Sequence, residues 1–156
     1  MRKRITLERT FEAPIEDVWE LWTTKEGIES WWGPDGFRVE VRRLDVRVGG
    51  EMAYAMIADG AEQIAFMKQA GMPVSTEHLN VYTDVTPQSR LAFKSNTDFI
   101  PGVEPYEVET VVEISVTKQG VRMTLTFDAM HDAHWTEMAT KGWEMELGKL
   151  AKVLAA

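Results

Sequence analysis

The sequence predicts an α+β domain in which an antiparallel sheet of about six to seven strands packs against one long C-terminal helix. Short turns separate most of the predicted strands, and strands joined in this way run antiparallel. The chain ends in DAHWTEMATKGWEMELGKLAKVLAA, its only long amphipathic segment with helical spacing. Because an antiparallel sheet with one apolar face needs a cover, we expect the sheet to curve around this helix.

One strand and two short helices are predicted at the start of the chain. The segment RITLERTFEA alternates apolar and polar side chains, which indicates a strand. Pro14 can begin a helix, since the first helical turn tolerates a missing N–H, and PIEDVWELWTT carries apolar residues at helical spacing. Thr24 is a candidate cap for a second short helix, which Gly33 and Pro34 end.

The second short helix closes on two adjacent tryptophans, in the segment SWWGP. Adjacent side chains cannot share one face of a helix or strand, so the two rings must point in different directions. Ile28 and Trp32 share a helical face by their spacing. We therefore expect Trp32 to turn inward, and Trp31 to lie nearer the surface or the rim of a cavity.

The middle of the chain contains six further strand-like segments and one helical interruption. The strands are GFRVEVRRLD, EMAYAMIA, EHLNVYTDV, SRLAFKSN, EVETVVEISVTK and VRMTLTFDAM. Between about 59 and 75 the apolar spacing changes, which predicts a helical insertion within a single domain spanning 1–156. Phe66 and Met67 in this insertion are expected to form a lid or a contact between two copies, because they would otherwise lie in water.

The C-terminal helix has a clear apolar stripe. Trp143, Leu147, Leu150 and Leu154 follow one another at spacings that keep them on one helical face. Asp132 stands before the helix, where its carboxylate can accept hydrogen bonds from free backbone N–H groups. This stripe is the surface that we expect to face the sheet.

Composition excludes several classes of function. The net charge of −8 argues against nucleic acid or an anionic membrane as the main partner. Cysteine is absent, which excludes disulfides, thiolate metal sites and cysteine nucleophiles. No apolar run reaches membrane-spanning length, and the basic N-terminus lacks the apolar stretch of a secretory signal. We expect a cytoplasmic protein.

Candidate catalytic and metal-binding groups are few. His131 and His134 lie three residues apart, with Asp128 and Asp132 beside them, a spacing that suits a metal. A solvated helix start is the favoured interpretation. We predict no metal and no cofactor. No residue set is assigned as catalytic, because no carboxylate falls clearly among apolar residues, where its pKa would rise. Glu146 is the best outside candidate, and Tyr54 is a second polar group near the apolar surfaces.

The most informative feature is a large inventory of soft apolar side chains, with nine methionines and six tryptophans. Methionine fills irregular space and adapts to different partners, so these residues suit either a core or a ligand pocket. We predict a cavity lined by residues on the inward faces of the strands and on the terminal helix. These residues are Met52, Tyr54, Met56, Phe93, Met123, Trp135, Met138 and Trp32.

The order of several local motifs resembles a known superfamily. The motifs are ERTFEAPIEDVWELWTTKEGIESWWGP, LDVRVGGEM, VTPQSRLAF, VEISVTKQGVRMTLTF and GWEMELGKLAKVL. In this order they resemble the SRPBCC (START/Bet v 1-like) superfamily and, within it, bacterial proteins similar to the Hsp90 ATPase activator homologue (AHSA1). The resemblance implies a helix-grip fold, with a hydrophobic cavity between a curved sheet and the long C-terminal helix.

Three functions are compatible with this resemblance. Relatives bind lipids, polyketides or aromatic metabolites, which makes binding of a small hydrophobic molecule the first prediction. A cyclase-type or hydrolase-type enzyme acting on such a molecule is the second, although no catalytic set can be carried over to this chain. A co-chaperone that binds Hsp90 is the third, and it rests on the resemblance alone.

Overall fold

The computed structural model describes residues 3–98 and 102–155. Seven strands and four helices follow one another in the described part of the chain. They are β1 (Arg4–Phe11), α1 (Ile15–Thr23), α2 (Lys25–Glu29), β2 (Phe37–Leu44), β3 (Glu51–Ala58), α3 (Ala61–Gln69), β4 (Ser75–Thr86), β5 (Arg90–Thr97), β6 (Tyr106–Thr117), β7 (Gly120–Asp128) and α4 (Ala133–Ala155).

The seven strands form one antiparallel sheet in the order β1-β7-β6-β5-β4-β3-β2. Six of the strands follow chain order, while β1 pairs with β7 at the far edge. The sheet curves around α4, and α1 and α2 follow the first strand. The α+β class and the helix-grip architecture predicted from the sequence are confirmed.

The predicted helix caps form as expected. The Thr24 hydroxyl accepts a hydrogen bond from the Gly27 N–H at 3.0 Å, which satisfies a free donor at the start of α2. The Asp132 carboxylate accepts one from the Trp135 N–H at 2.8 Å, ahead of α4. On the apolar stripe of α4, Leu147 and Leu150 are fully buried. These local signals therefore place α4 with the predicted face on the core.

One end of the concave face is densely packed. Helix α1 contacts β6, β7 and α4, so it fills the space between the sheet and the terminal helix at this end. Val18 of α1 is fully buried there, as are Val121 and Met123 of β7. Such burial of apolar side chains supplies most of the free energy that favours folding.

The tryptophan pair only partly follows the prediction. Trp32 is 5% exposed and turns inward, as expected. Trp31 is only 1% exposed, so its predicted place near the surface or a cavity rim is wrong. Its ring packs at 4.6 Å from that of Trp22 in α1, and its indole N–H donates to the Leu21 carbonyl at 2.8 Å. Because α1 lies against α2, a ring that points away from the cavity is still covered.

The predicted helix between 59 and 75 is present as α3, which contacts β3. Met67 is buried, whereas Phe66 is 66% exposed. The two residues therefore have different environments, although the same role was predicted for both. Among the described residues, no helix combines the length and apolar character needed to cross a membrane.

Candidate functional site

A cavity of about 380 Å³ lies between the concave face of the sheet and α4. Strands β3 to β7 form its floor, and one face of α4 forms its roof. The turn after Trp32 closes one side. Its lining consists of Trp32, Pro34, Tyr54, Met56, Asn80, Phe93, Ser95, Thr97, Val108, Thr110, Phe127, Met130, Ala139, Gly142, Trp143 and Glu146.

Half of the eight residues proposed from the sequence line this cavity: Trp32, Tyr54, Met56 and Phe93. Met123 does not, because it is fully buried at the packed end, four residues along β7 from the cavity residue Phe127. Strand alternation predicted that Met123 and the proposed cavity residues of the other strands lie on the inward face. Alternation does not reveal which end of that face is filled by a helix.

The other proposed residues lie around the cavity without lining it. Met52 is 2% exposed and lies outside the lining, and its sulfur accepts a hydrogen bond of 3.8 Å from the Asn80 side-chain amide. Met138 is 50% exposed, because the cavity-facing stripe of α4 runs through positions 139, 142, 143 and 146. Trp135 lies one turn before this stripe, with its ring 6.3 Å from that of His131.

The proposed lid residues also lie outside the lining. Neither Phe66 nor Met67 is among the residues that form the cavity wall. In the described conformation α3 contacts β3, and the large exposed ring of Phe66 covers nothing in the cavity. A lid function for α3 stays a prediction.

Aromatic rings form one wall of the cavity, with Trp32 at its centre. The Trp32 ring lies 6.0 Å from Tyr54, 6.0 Å from Phe93 and 5.7 Å from Trp143, measured between ring centroids. The pairs with Tyr54 and Trp143 are edge-on, a favourable geometry for two aromatic rings. The segment SWWGP thus contributes both a structural ring, Trp31, and a cavity ring, Trp32.

A strip of polar side chains crosses the floor of the cavity. Asn80 and Thr110 are each 2% exposed and Thr97 is 6% exposed, and all three line the cavity. Sequence reasoning did not identify them as site residues. The signal was available for Thr110, since it shares a face with Val108 and other apolar residues of β6. A polar residue inside an apolar stripe marks either a buried hydrogen bond or a site.

Among the described residues that line the cavity, Glu146 is the only carboxylic acid. Its Oε1 accepts a hydrogen bond of 2.8 Å from the Gly33 N–H, while Lys149 Nζ donates to the Gly33 carbonyl at 2.8 Å. Protein atoms surround the carboxyl group, and this burial raises its pKa to about 7, against the opposing effects of the Gly33 hydrogen bond and of Lys149. Among the described residues, no hydrogen bond reaches Oε2.

Tyr54 is the second titratable group in the wall. Burial raises its pKa to about 12, so the hydroxyl keeps its proton, and the Trp32 indole N–H donates a hydrogen bond to it. The imidazole of His78, on the neighbouring strand, stacks on the Tyr54 ring with centroids 5.3 Å apart. Burial also lowers the pKa of His78, which favours the neutral form of this ring.

Gly142 lies in the roof of the cavity, in the middle of α4. A Cβ atom added at this position would meet no heavy atom within 4 Å. Glycine in a helix interior costs about 1 kcal/mol relative to alanine. The helix therefore carries a residue that weakens it at a position where a side chain would extend into open space.

A family model now connects this architecture with known proteins. The model for "Activator of Hsp90 ATPase homolog 1-like protein" (AHSA1) matches residues 12–155. The chain belongs to this family. The AHSA1 match begins directly after β1 and includes every described residue that lines the cavity. None of the curated proteins compared with the chain matches it.

Solved structures share the AHSA1 fold over nearly the whole chain. A protein from Chromobacterium violaceum is 23% identical, with a TM-score of 0.80 and coverage of 98% of this chain and 97% of that one. An AHSA1 protein from Silicibacter pomeroyi is 22% identical, with a TM-score of 0.76 and 98% coverage of both chains. An AHSA1-like protein from Aeromonas hydrophila is 23% identical, with a TM-score of 0.72 and coverage of 96% and 90%. At this identity the likeness establishes the fold.

The histidines near the start of α4 have structural partners. The His131 ring lies 3.0 Å from the Tyr106 hydroxyl and 3.4 Å from the Asp132 carboxylate. His134 lies against Trp135, with ring centroids 5.9 Å apart. In residues 3–98 and 102–155 no three histidine, aspartate or glutamate side chains gather as a metal site would require.

Proposed function

We propose that the protein binds a small, mainly hydrophobic molecule in the cavity between the sheet and α4. The observation that carries the proposal is the cavity itself, about 380 Å³ in volume, with an aromatic wall, a buried polar strip and one carboxyl group. Ligand pockets are typically apolar clefts that contain a few well-placed polar groups. A packed core has no need of buried hydroxyl and amide groups beside open space.

The volume narrows the class of ligand. Ligand pockets typically range from about 300 to 1,000 Å³, so this cavity lies near the lower limit. A compact aromatic metabolite fits this volume better than a long lipid chain or a large polyketide. Hydrogen bonds to Asn80, Thr97 and Thr110 would orient its polar groups, while its apolar body packs against Trp32 and Phe93.

Two glycines of α4 provide a matched experiment. Gly142 lines the cavity, whereas Gly148 is exposed on the same helix, and an added Cβ meets no atom within 4 Å at either position. Gly142→Leu should extend its side chain into the cavity, because the added Cβ meets open space there, and Gly148→Leu should leave the cavity open. Both changes remove a helix-weakening glycine, so neither variant is expected to unfold.

Native mass spectrometry of protein purified from its own host tests the proposal. We expect a bound small molecule on the wild-type protein and on Gly148→Leu, and none on Gly142→Leu. Equal occupancy of both leucine variants would place the molecule elsewhere on the protein. No bound molecule on any of the three proteins would count against a ligand-binding function.

The other functions predicted from the sequence have less support. Glu146 is a candidate general acid or base for an enzyme, because a carboxyl pKa near 7 suits proton transfer at neutral pH. Binding to Hsp90 rests on the family alone and would be tested by the effect of the protein on Hsp90 ATP hydrolysis. The cytoplasmic location, the possibility of a homodimer and the absence of nucleic-acid and membrane partners also stay predictions.

A further inference from the structure

We propose that the ligand of this cavity is a small organic cation, an aromatic or cyclic amine whose ammonium group pairs with Glu146 among the aromatic rings. This inference rests on the proposed ligand-binding function and adds the chemical class of the ligand. It is carried by the charges and rings that line the cavity.

The charge of the cavity wall has one sign. Of the lining residues that the structure describes, Glu146 is the only carboxylic acid, and none is lysine or arginine. The nearest described cation, Lys149, is held on the Gly33 carbonyl and does not belong to the lining. An anionic ligand would therefore meet a carboxyl group and no opposite charge, whereas an ammonium ion would form a partly buried ion pair.

The carboxyl group of Glu146 has a fixed orientation and one oxygen that can accept a hydrogen bond from a ligand. The Gly33 N–H holds Oε1, which fixes the orientation of the group, and no hydrogen bond reaches Oε2 within the described part of the chain. A fixed carboxylate with one oxygen available can accept an N–H donor from a ligand at little entropic cost. A neutral group in the cavity, such as the Tyr54 hydroxyl, cannot form an ion pair with an ammonium group.

Aromatic faces stabilise the same kind of ligand. The rings of Tyr54, Phe93 and Trp143 each lie about 6 Å from the Trp32 ring. Cations within about 6 Å of an aromatic face are attracted by the negative charge of the ring face, and the attraction increases when the cation leaves water. The wall of this cavity thus combines a carboxylate with the rings that favour an ammonium group.

The groups around Glu146 also predict how binding depends on pH. Lys149 on α4 and Tyr54 on β3 face it, and His78 stacks behind Tyr54. Tyr54 keeps its proton, because its pKa is raised to about 12, and burial lowers the pKa of His78 from its ordinary value. Glu146 is therefore the group in the wall whose charge changes most around pH 7. An amine that stays protonated should bind about tenfold more tightly at pH 8 than at pH 6, because the carboxyl group ionises over this interval.

Three probes of equal shape and different charge test the inference by isothermal titration calorimetry. They are 1-naphthylmethylammonium, the neutral 1-naphthalenemethanol and the anionic 1-naphthoate. We expect the wild-type protein at pH 8 to bind the ammonium probe about tenfold more tightly than the alcohol. The preference should disappear in Glu146→Gln and persist in Glu144→Gln, which changes an exposed glutamate on the same helix.

Each contrary outcome has a distinct meaning. If the alcohol or the naphthoate binds as tightly as the ammonium probe and Gly142→Leu blocks it, the cavity is a ligand site and the charge preference is wrong. If the ammonium probe binds Gly142→Leu as well as wild type, it occupies the acidic surface and the inference fails. If no probe binds to the wild-type protein, the result contradicts both this inference and the proposed function.

Discussion

The two ends of the concave face differ, although the same sheet and the same helix enclose both. At the packed end, α1 fills the space, and Leu147, Val121 and Met123 are completely buried. At the cavity end, α4 presents Gly142 and Glu146, and the floor carries Asn80 and other buried polar groups. The difference shows that the packed end stabilises the fold, while the cavity end keeps groups that weaken it. Such groups are expected where a ligand binds.

The neighbouring tryptophans offer the largest test of this comparison. Trp31 is enclosed by helices, so Trp31→Ala should lower the free energy of unfolding by about 3–5 kcal/mol. Trp32 borders the cavity, so its ring has open space on one side and fewer packing contacts to lose. Trp32→Ala should therefore lower the free energy of unfolding by about 2 kcal/mol less than Trp31→Ala does. Urea unfolding of both variants measures the difference. Equal losses would mean that the cavity end is packed as tightly as the other end.

The ionisation of Glu146 gives a second test, through pH. Burial raises the pKa of this carboxyl group from 4.5 to about 7, so the folded protein holds the proton more tightly than the unfolded chain. Proton binding by Glu146 therefore favours the folded state. This contribution to the free energy of unfolding is fully present below about pH 4.5 and is lost as the pH rises through 7. Glu146→Gln, which retains an oxygen for the Gly33 N–H, should therefore gain up to about 3 kcal/mol on wild type between about pH 5 and pH 8.

A matched control separates this effect from the general influence of charge. Glu144→Gln changes an exposed carboxylate two positions earlier on α4 and should show no pH-dependent gain. The free energy of unfolding is measured by urea titration at each pH for all three proteins. A constant difference between Glu146→Gln and wild type would show that the carboxyl group ionises as it does in water.

The smallest expected effect concerns α3, outside both ends of the concave face. Phe66 is 66% exposed, so Phe66→Ser should change the free energy of unfolding by less than about 0.5 kcal/mol. Met67 is buried, and Met67→Ser is the contrasting variant, with an expected loss above about 1 kcal/mol. Sedimentation velocity gives a second readout, because a change of association state in Phe66→Ser would reveal a contact between two copies.

The sequence was sufficient for the fold because its signals are local and repeat along the chain. Strand alternation, the caps at Thr24 and Asp132, and the stripe through Leu147 all act within a few residues. The position of the cavity depends instead on which elements cover each end of the sheet. Periodicity gave Met123 and Phe93 the same inward direction, but only the packing of α1 distinguishes their surroundings.

The candidate site was therefore predicted in part. Tyr54, Met56, Phe93 and Trp32 were found from their residue types and faces, while Gly142 was missed because an absent side chain gives no hydrophobic signal. Glu146 was noted only as an outside candidate, since helical spacing places it near the apolar stripe without giving its depth. The burial of its carboxyl group follows from the turn at Gly33, which is far from it in sequence.

The most direct test of the account is a two-dimensional ¹H–¹⁵N NMR titration of the wild-type protein with 1-naphthalenemethanol. The neutral probe avoids any contribution from the acidic surface, and backbone amides at both ends of the concave face report on its position. We expect the amide signals of Gly33, Phe93 and Gly142 to shift together with one dissociation constant, while those of Val18 and Val121 stay unchanged. Shifts confined to the outer surface, or equal shifts at both ends, would contradict a ligand site at the cavity end.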